Sequence, residues 1–220
     1  MRKTLKYAAI ALGLLIGIGM VLGVKGYFDA IADSHALGVR ADALIAAGRG
    51  PAGLGRGRLE QLMMVEDPGF LRHDGVDIST PGAGLTTITQ SLAKRVGFKN
   101  FRPGIQKIRQ TGYAMGLERE LTKAQIVTLL LDEAEMGRGP KGWMTGFFAT
   151  SLTVYGRPVV QLDNRRFLTL VAVMIAPAKF DLRRPDPALQ DRVDRINRLV
   201  SGKCHPQGER DVWLKGCVQA

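Results

Sequence analysis

Glu66 and Asp67 stand directly after the apolar run LEQLMMV, and Phe70 and His73 follow them in the stretch VEDPGFLRHDGVD. An acidic pair in that place is either a solvated helix end or a carboxylate delivered into a cleft. In a partly desolvated cleft a carboxylate has a raised pKa and can take a proton from a weak nucleophile. A second group of reactive types, Lys94, Arg102, Lys107 and Arg109, crowds one short segment. It forms either a solvated basic face or a cradle where fixed cations stabilise an anionic group. Between the two groups, Thr86, Thr87 and Gln90 can hydrogen-bond a polar ligand or simply cap the helix they open.

The elements that must position these groups are helical. A helix from Leu59 to about Val65 delivers Glu66 and Asp67 at its C-terminal end, and HDGVDISTPGAG (73–84) carries turn chemistry throughout. LTTITQSLAKRV resumes a helical pattern, and Pro103 suits the first turn of a helix running to about Glu120. Thr122 with Gln125 forms a capping box for KAQIVTLLLDEAEM, which is apolar on nearly all sides and therefore central. GRGPKGW interrupts it, and Trp143 to Tyr155 reads as a further short helix. Asp163 or Asn164 can cap RRFLTLVAVMIA, which Pro177 stops; that run is too short to span a bilayer and reads as a core helix. Asp186-Pro187 starts a last helix that Gly202 ends. No segment alternates at period two and no internal repeat is evident, so the fold class is mostly α.

The chain has 220 residues, 45% of them hydrophobic, enough for one domain with an appendage. Its formal charge of +11 favours an anionic partner: nucleic acid, acidic headgroups or a phosphorylated ligand. Nucleic acid is not expected, because the basic residues lack aromatic interleaving and a recognised motif. MRKTLK precedes an uncharged run from Tyr7 to Val24. As a helix that run is about 27 Å long, close to the hydrocarbon thickness of a bilayer. Basic residues ahead of it favour a cytoplasmic N-terminus and an exported remainder. A cleaved signal peptide competes, but its A-x-A candidate, Ala30-Ile31-Ala32, lies well beyond the apolar end, which favours a retained anchor. Cys204 and Cys217, the only cysteines, flank HPQGERD and suit a disulfide loop in an oxidising compartment, or else are two unrelated thiols. The expected organisation is a basic segment (1–6), a transmembrane anchor (7–24), a juxtamembrane helix and Gly-rich linker (25–58), a helical domain (59–200) and a tail (201–220).

Taken together, EDPGFLRHDGVD, GLTTITQSLAKR and the long segment from GWMTGFF to PDPALQDR resemble the peptidoglycan glycosyltransferases of glycosyltransferase family 51. The resemblance covers roughly residues 55 to 200. It implies a two-lobed, lysozyme-like, mostly helical domain behind one transmembrane helix, partly sunk into the membrane surface. The implied reaction is inverting polymerisation of lipid II into glycan strands with release of undecaprenyl pyrophosphate. By motif position Glu66 is the general base, its pKa raised by burial against Phe70 and the Met63–Met64 region. Asp67 and His73 orient the motif. Lys94 and Arg102 contact phosphate, and Lys107 matches a further basic position. Phe70, Thr86, Thr87 and Gln90 complete the implied substrate-binding set. Implied partners are lipid II, the growing strand, membrane lipids and other cell-wall synthesis proteins. The implied location is a bacterial inner membrane, single-pass, with catalysis on the periplasmic or outer face. The chain's length suits a monofunctional enzyme.

Three departures from the pattern stand out. Gln110 occupies the position of the family's second carboxylate, which is thought to act on the pyrophosphate side directly or through a divalent metal such as Mg2+. An amide can donate a hydrogen bond to phosphate but cannot neutralise a metal ion. Glu118 is no evident substitute, being about 12 Å further along the helix. Ser91 stands for a second Gln and Leu85 for a Gly, and the segment between the first two motifs is short. No residue is assigned as a metal ligand, and a structural zinc site is not expected. Two other readings follow: a catalytically impaired protein that binds lipid II or glycan and regulates cell-wall synthesis, or glycan cleavage by a single carboxylic acid.

Overall fold

The computed structural model describes residues 2–218, with side chains from Thr4 onward. It is mostly α, as the sequence indicates, with one long N-terminal helix and a single two-stranded sheet among the described residues. Helix α1 (Arg2–Ala46) runs without interruption through the apolar segment and the Ala-rich segment after it. It is long and apolar enough to cross a membrane.

The C-terminal half of α1 packs along α5 (Gln106–Glu120), and glycine permits a backbone-to-backbone approach. A Cβ at Gly26 would sit 2.1 Å from the Arg109 carbonyl oxygen, and one at Gly112 would sit 1.9 Å from that of Gly23. Polar ties then fix the register. Arg109 Nη2 is 2.6 Å from Asp29 Oδ2, and the Tyr113 hydroxyl donates to Asp33 Oδ2 at 2.6 Å. Arg109, without an assigned role from sequence, is thus part of the joint between the long helix and the domain.

Helix α6 (Lys123–Glu133) is the central element that its all-round apolar character requires. Ile126 to Leu131 are all buried, with α1, α4 (Ile88–Val96) and α7 (Phe147–Tyr155) packed around it. Thr122 and Gln125 make the expected capping box, and Asp163 and Asp186 cap α8 (Asn164–Met174) and α9 (Pro187–Val200). Each such cap is worth about 1 kcal/mol.

Two local expectations are corrected. Trp143 does not begin a helix: β1 (Glu135–Gly139) pairs antiparallel with β2 (Gly142–Thr145), with Arg138 opposite Trp143, and α7 starts only at Phe147. An irregularity between Glu135 and Arg138 and three glycines in nine strand positions remove the period-two alternation that would have marked the hairpin. Pro103 likewise lies ahead of α5, because Gly104 adopts φ 108° and the helix begins at Gln106.

Candidate active site

Helix α3 (Arg58–Glu66), which follows the short helix α2 (Pro51–Leu54), is secured at its start by Arg58, whose guanidinium donates to the carbonyls of Leu54, Val159 and Leu162. It ends at Glu66, with Asp67 as its C-cap. Asp67 is fully buried. Its carboxylate accepts the Ile88 amide at 2.9 Å and faces His73 Nε2 at 3.0 Å. The Gly75 amide donates to His73 Nδ1 at 3.1 Å, which puts the ring proton on Nε2, directed at Asp67. Asp67 and His73 therefore brace the end of α3 against the start of α4, and neither has a free reactive atom.

Glu66 has the opposite surroundings. It opens onto a cavity of about 380 Å³ whose wall includes Gly84, Thr86, Lys94, Arg95, Met174 and Arg192. It makes no hydrogen bond or ion pair within 4 Å to another described residue. Burial pushes its pKa up from 4.5 to about 7; Arg192 and Arg95 oppose that rise and Asp67 adds to it. Phe70 is not part of this wall. It is buried on another side, its ring centroid 6.1 Å from that of His73 and 4.4 Å from Lys123 Nζ. Met64 is exposed. Residues 82–84, Met174, Ile175 and Val212 line the cavity with Glu66 instead.

The cations divide. Lys94 lines the cavity with Glu66, and burial lowers its pKa, with Arg95 contributing. Lys107 Nζ donates to Thr86 Oγ1 at 2.8 Å on the rim; its pKa is lowered by burial and by Lys94, which places the two ammonium groups within electrostatic reach. Arg102 is not brought to the cavity. Its side chain is exposed and makes no hydrogen bond or ion pair among the described residues. Arg95 and Arg192 were missed by sequence reasoning. Arg95 sits beside a recognised lysine. Arg192 is 1% exposed on α9, and no local pattern ties it to Glu66. A second cavity, lined by Phe98, Phe101, Glu133 and Glu135, shares Lys94 and Arg95 with the first.

Thr87 and Gln90 are committed within the protein. Together they form the capping box of α4, and Thr87 Oγ1 also donates to the Gly75 carbonyl at 2.8 Å. Gln110 is buried, and its Nε2 donates to the Gln90 carbonyl at 2.5 Å, while its Oε1 has no partner among the described residues. It points at the α4 backbone rather than into the cleft. Glu118 belongs to a separate cluster with Thr89 and Lys123.

The Gln110 position does not suit a divalent cation. The neutral Gln110 amide brings no charge. Asp67, His73 and Asp77 bring ligand atoms within 4.8 Å of one another, but both His73 nitrogens are engaged and Asp77 Oδ1 accepts the amides of Ser79 and Thr80.

The sequence profile described as transglycosylase matches residues 58–200, well over half of the chain. The chain belongs to the transglycosylase family. Among curated relatives, it is 31% identical over 129 residues to penicillin-binding protein 1B of Buchnera aphidicola (subsp. Acyrthosiphon pisum), covering 53% of this chain and 17% of that protein. Biosynthetic peptidoglycan transglycosylases are also similar. The one from Yersinia pseudotuberculosis is 28% identical, covering 63% of this chain and 61% of its own, and the one from Brucella suis is 26% identical, covering 68% and 69%. The chain thus spans about a fifth of the penicillin-binding proteins it matches. The transglycosylase match begins at Arg58, the first residue of α3, and ends at the last residue of α9.

Proposed function

We propose that this transglycosylase polymerises lipid II into glycan strands by a single inverting displacement, with Glu66 as general base. The observation that carries the reading is the shared cavity: a carboxylate with a pKa near 7 and the Lys94 ammonium line one wall. A sugar hydroxyl is a poor nucleophile until its proton is removed. In the proposed step Glu66 takes that proton as the hydroxyl oxygen bonds to the anomeric carbon of a lipid-linked donor. The bond from that carbon to the pyrophosphate oxygen breaks, and Lys94 and Lys107 meet the charge that develops on the departing diphosphate. The second cavity has Lys94 and Arg95 in common with the Glu66 cavity, which supports placing the two sugars on either side of these cations.

The long helix supports an anchor in a bacterial inner membrane, with the domain on its outer face. Phe28, Ile105, Ile108 and Met115 are exposed where α1 meets α5, an apolar surface that suits partial immersion in lipid. Lipid II and the growing strand are the proposed partners. No step runs through a metal, since Gln110 offers no charge to hold one.

Incubating the full chain with labelled lipid II tests this reading. Polymer is expected from the natural sequence and its loss from Glu66→Gln. No polymer under conditions where a biosynthetic peptidoglycan transglycosylase works would overturn it. Lipid II binding without turnover would then favour a regulatory binding protein, and sugars released from purified wall would favour cleavage.

A further inference from the structure

The segment after α9 lies outside the matched region, yet it forms part of the Glu66 cavity through Val212. Three arginines at every third position of α9 hold it by its carbonyls. Arg192 Nη1 donates to Val212 at 2.9 Å, Arg195 Nη1 to Trp213 at 2.8 Å and Arg198 Nε to Cys217 at 2.6 Å. The Cys204–Cys217 bond closes the segment into a loop. Inside that loop the Asp211 carboxylate accepts the amides of Gln207, Lys215 and Gly216 at 2.7 to 3.0 Å.

The opposite edge of this loop pairs with the segment between the first two motifs. The Gly82 amide donates to the Gly208 carbonyl at 3.0 Å, and the Gly84 amide to that of Glu209 at 2.7 Å. The fit leaves no room for a side chain. A Cβ at Gly82 would lie 2.8 Å from Pro206, and one at Gly84 would lie 2.6 Å from Val212. Residues 82–86 run from this junction along the cavity wall to Thr86, where Lys107 is bound, and then into α4.

We propose that the disulfide-closed loop 204–217 is a positioning strap that holds residues 82–86 against the Glu66 cavity and fixes how the lipid-diphosphate donor is received. The donor part of this statement rests on the glycosyltransferase reading; the strap itself does not. Trp213, its ring under the Arg192 guanidinium and edge-on to Phe180, keeps the far end of the loop against α9 and the core. The edge that contacts Gly82 and Gly84 is tied back through Asp211, which accepts the Gln207 amide and donates its own amide to the Gly208 carbonyl, and the covalent bond at Cys204 closes that edge onto the rest of the loop. Opening the bond removes the covalent closure at Cys204 and leaves the contacts to the two glycine amides dependent on the hydrogen bonds around Asp211.

The test compares the full-length protein in detergent, oxidised, reduced by a phosphine, and as Cys204→Ser/Cys217→Ser. Hydrogen exchange at the Gly82 and Gly84 amides is expected to quicken about tenfold when the loop opens, with amides of α6 unchanged. KM for lipid II is expected to rise about tenfold with kcat nearly constant. Unchanged exchange at both glycines overturns the proposal. So does faster exchange with an unchanged KM, and so does equal loss of protection in α6, which would make the bond a general staple. If the protein makes no polymer in any state, the dissociation constant for labelled lipid II replaces KM, so failure of the enzymatic reading is read separately from failure of the strap.

Discussion

The carboxylate of Asp67, the residue that ends α3, accepts the first amide of α4, that of Ile88, at 2.9 Å. This one bond couples the helix that carries Glu66 to the helix that carries Lys94. Because Asp67 is fully buried and His73 supplies its other partner, the coupling has little freedom to relax. The distance between base and cation is therefore set by a residue that need not touch substrate.

Asp67→Asn should uncouple the two helices. The amide oxygen can still accept from Ile88, but its NH2 group then faces the Nε2 proton of His73. Moving that proton to Nδ1 would set it against the Gly75 amide. Loss of about 1–3 kcal/mol is expected, as for a buried donor left unpaired. Chemical denaturation checks the stability, and a fall in kcat alongside it checks the coupling; a variant as stable and active as the parent would refute the clamp.

Glu66→Gln should separate activity from stability. Removing a general base lowers turnover by about a hundredfold or more. Burial raises the folded-state pKa of Glu66 from 4.5 to about 7, so the folded protein binds the proton more tightly than the unfolded chain. Stability is therefore lost as pH rises from the unfolded value through the folded one, on the order of 3 kcal/mol in all. The Gln variant should melt several degrees above the parent at pH 8 and close to it at pH 4.5. In the parent, kcat/KM should climb with pH and level off above about 7, where the base is ionised. A rate that is flat from pH 5 to 8 would exclude Glu66 as the base.

Gln110→Glu should not raise polymerase activity. The substituted carboxylate would face the Gln90 carbonyl that now accepts the Gln110 amide, in a site 1% exposed. Burial and the facing oxygen would raise its folded-state pKa. The variant should thus lose about 1–3 kcal/mol at pH 8 and recover most of it at acidic pH, where a protonated carboxyl can donate. Urea unfolding at pH 5 and pH 8 measures this. Higher polymerase activity without a stability cost would show that position 110 reaches the cleft.

Gly112→Val should detach α1 from the domain. Its Cβ would fall 1.9 Å from the Gly23 carbonyl oxygen, so the helices must part and strain the Asp29–Arg109 and Asp33–Tyr113 ties. Gly13→Val is the control, since nothing lies within 4 Å of a Cβ there. Faster proteolysis between α1 and α3 and a lower melting temperature are expected only for the first. Equal behaviour of the two variants would mean that the joint contributes nothing.

The sequence alone determined what depends on near neighbours. Thr122 with Gln125, Asp163 and Asp186 mark helix starts because a cap and its amide lie within a few residues of each other. The length of the uncharged run, the all-round apolar character of α6 and the placement of Glu66 at the end of α3 were legible for the same reason. The resemblance to the family's motifs singled out Lys94, Arg102 and Lys107, while only the structure shows that Lys94 lines the Glu66 cavity and that the Arg102 side chain is exposed. Tertiary structure decided the rest: Arg95 and Arg192 as the cations around Glu66, Gln110 turned into the core, Arg109 tied to α1, and the tail laid across residues 82–84. Those facts are burial and charge proximity between segments far apart in the chain, and they have no value until the helices pack.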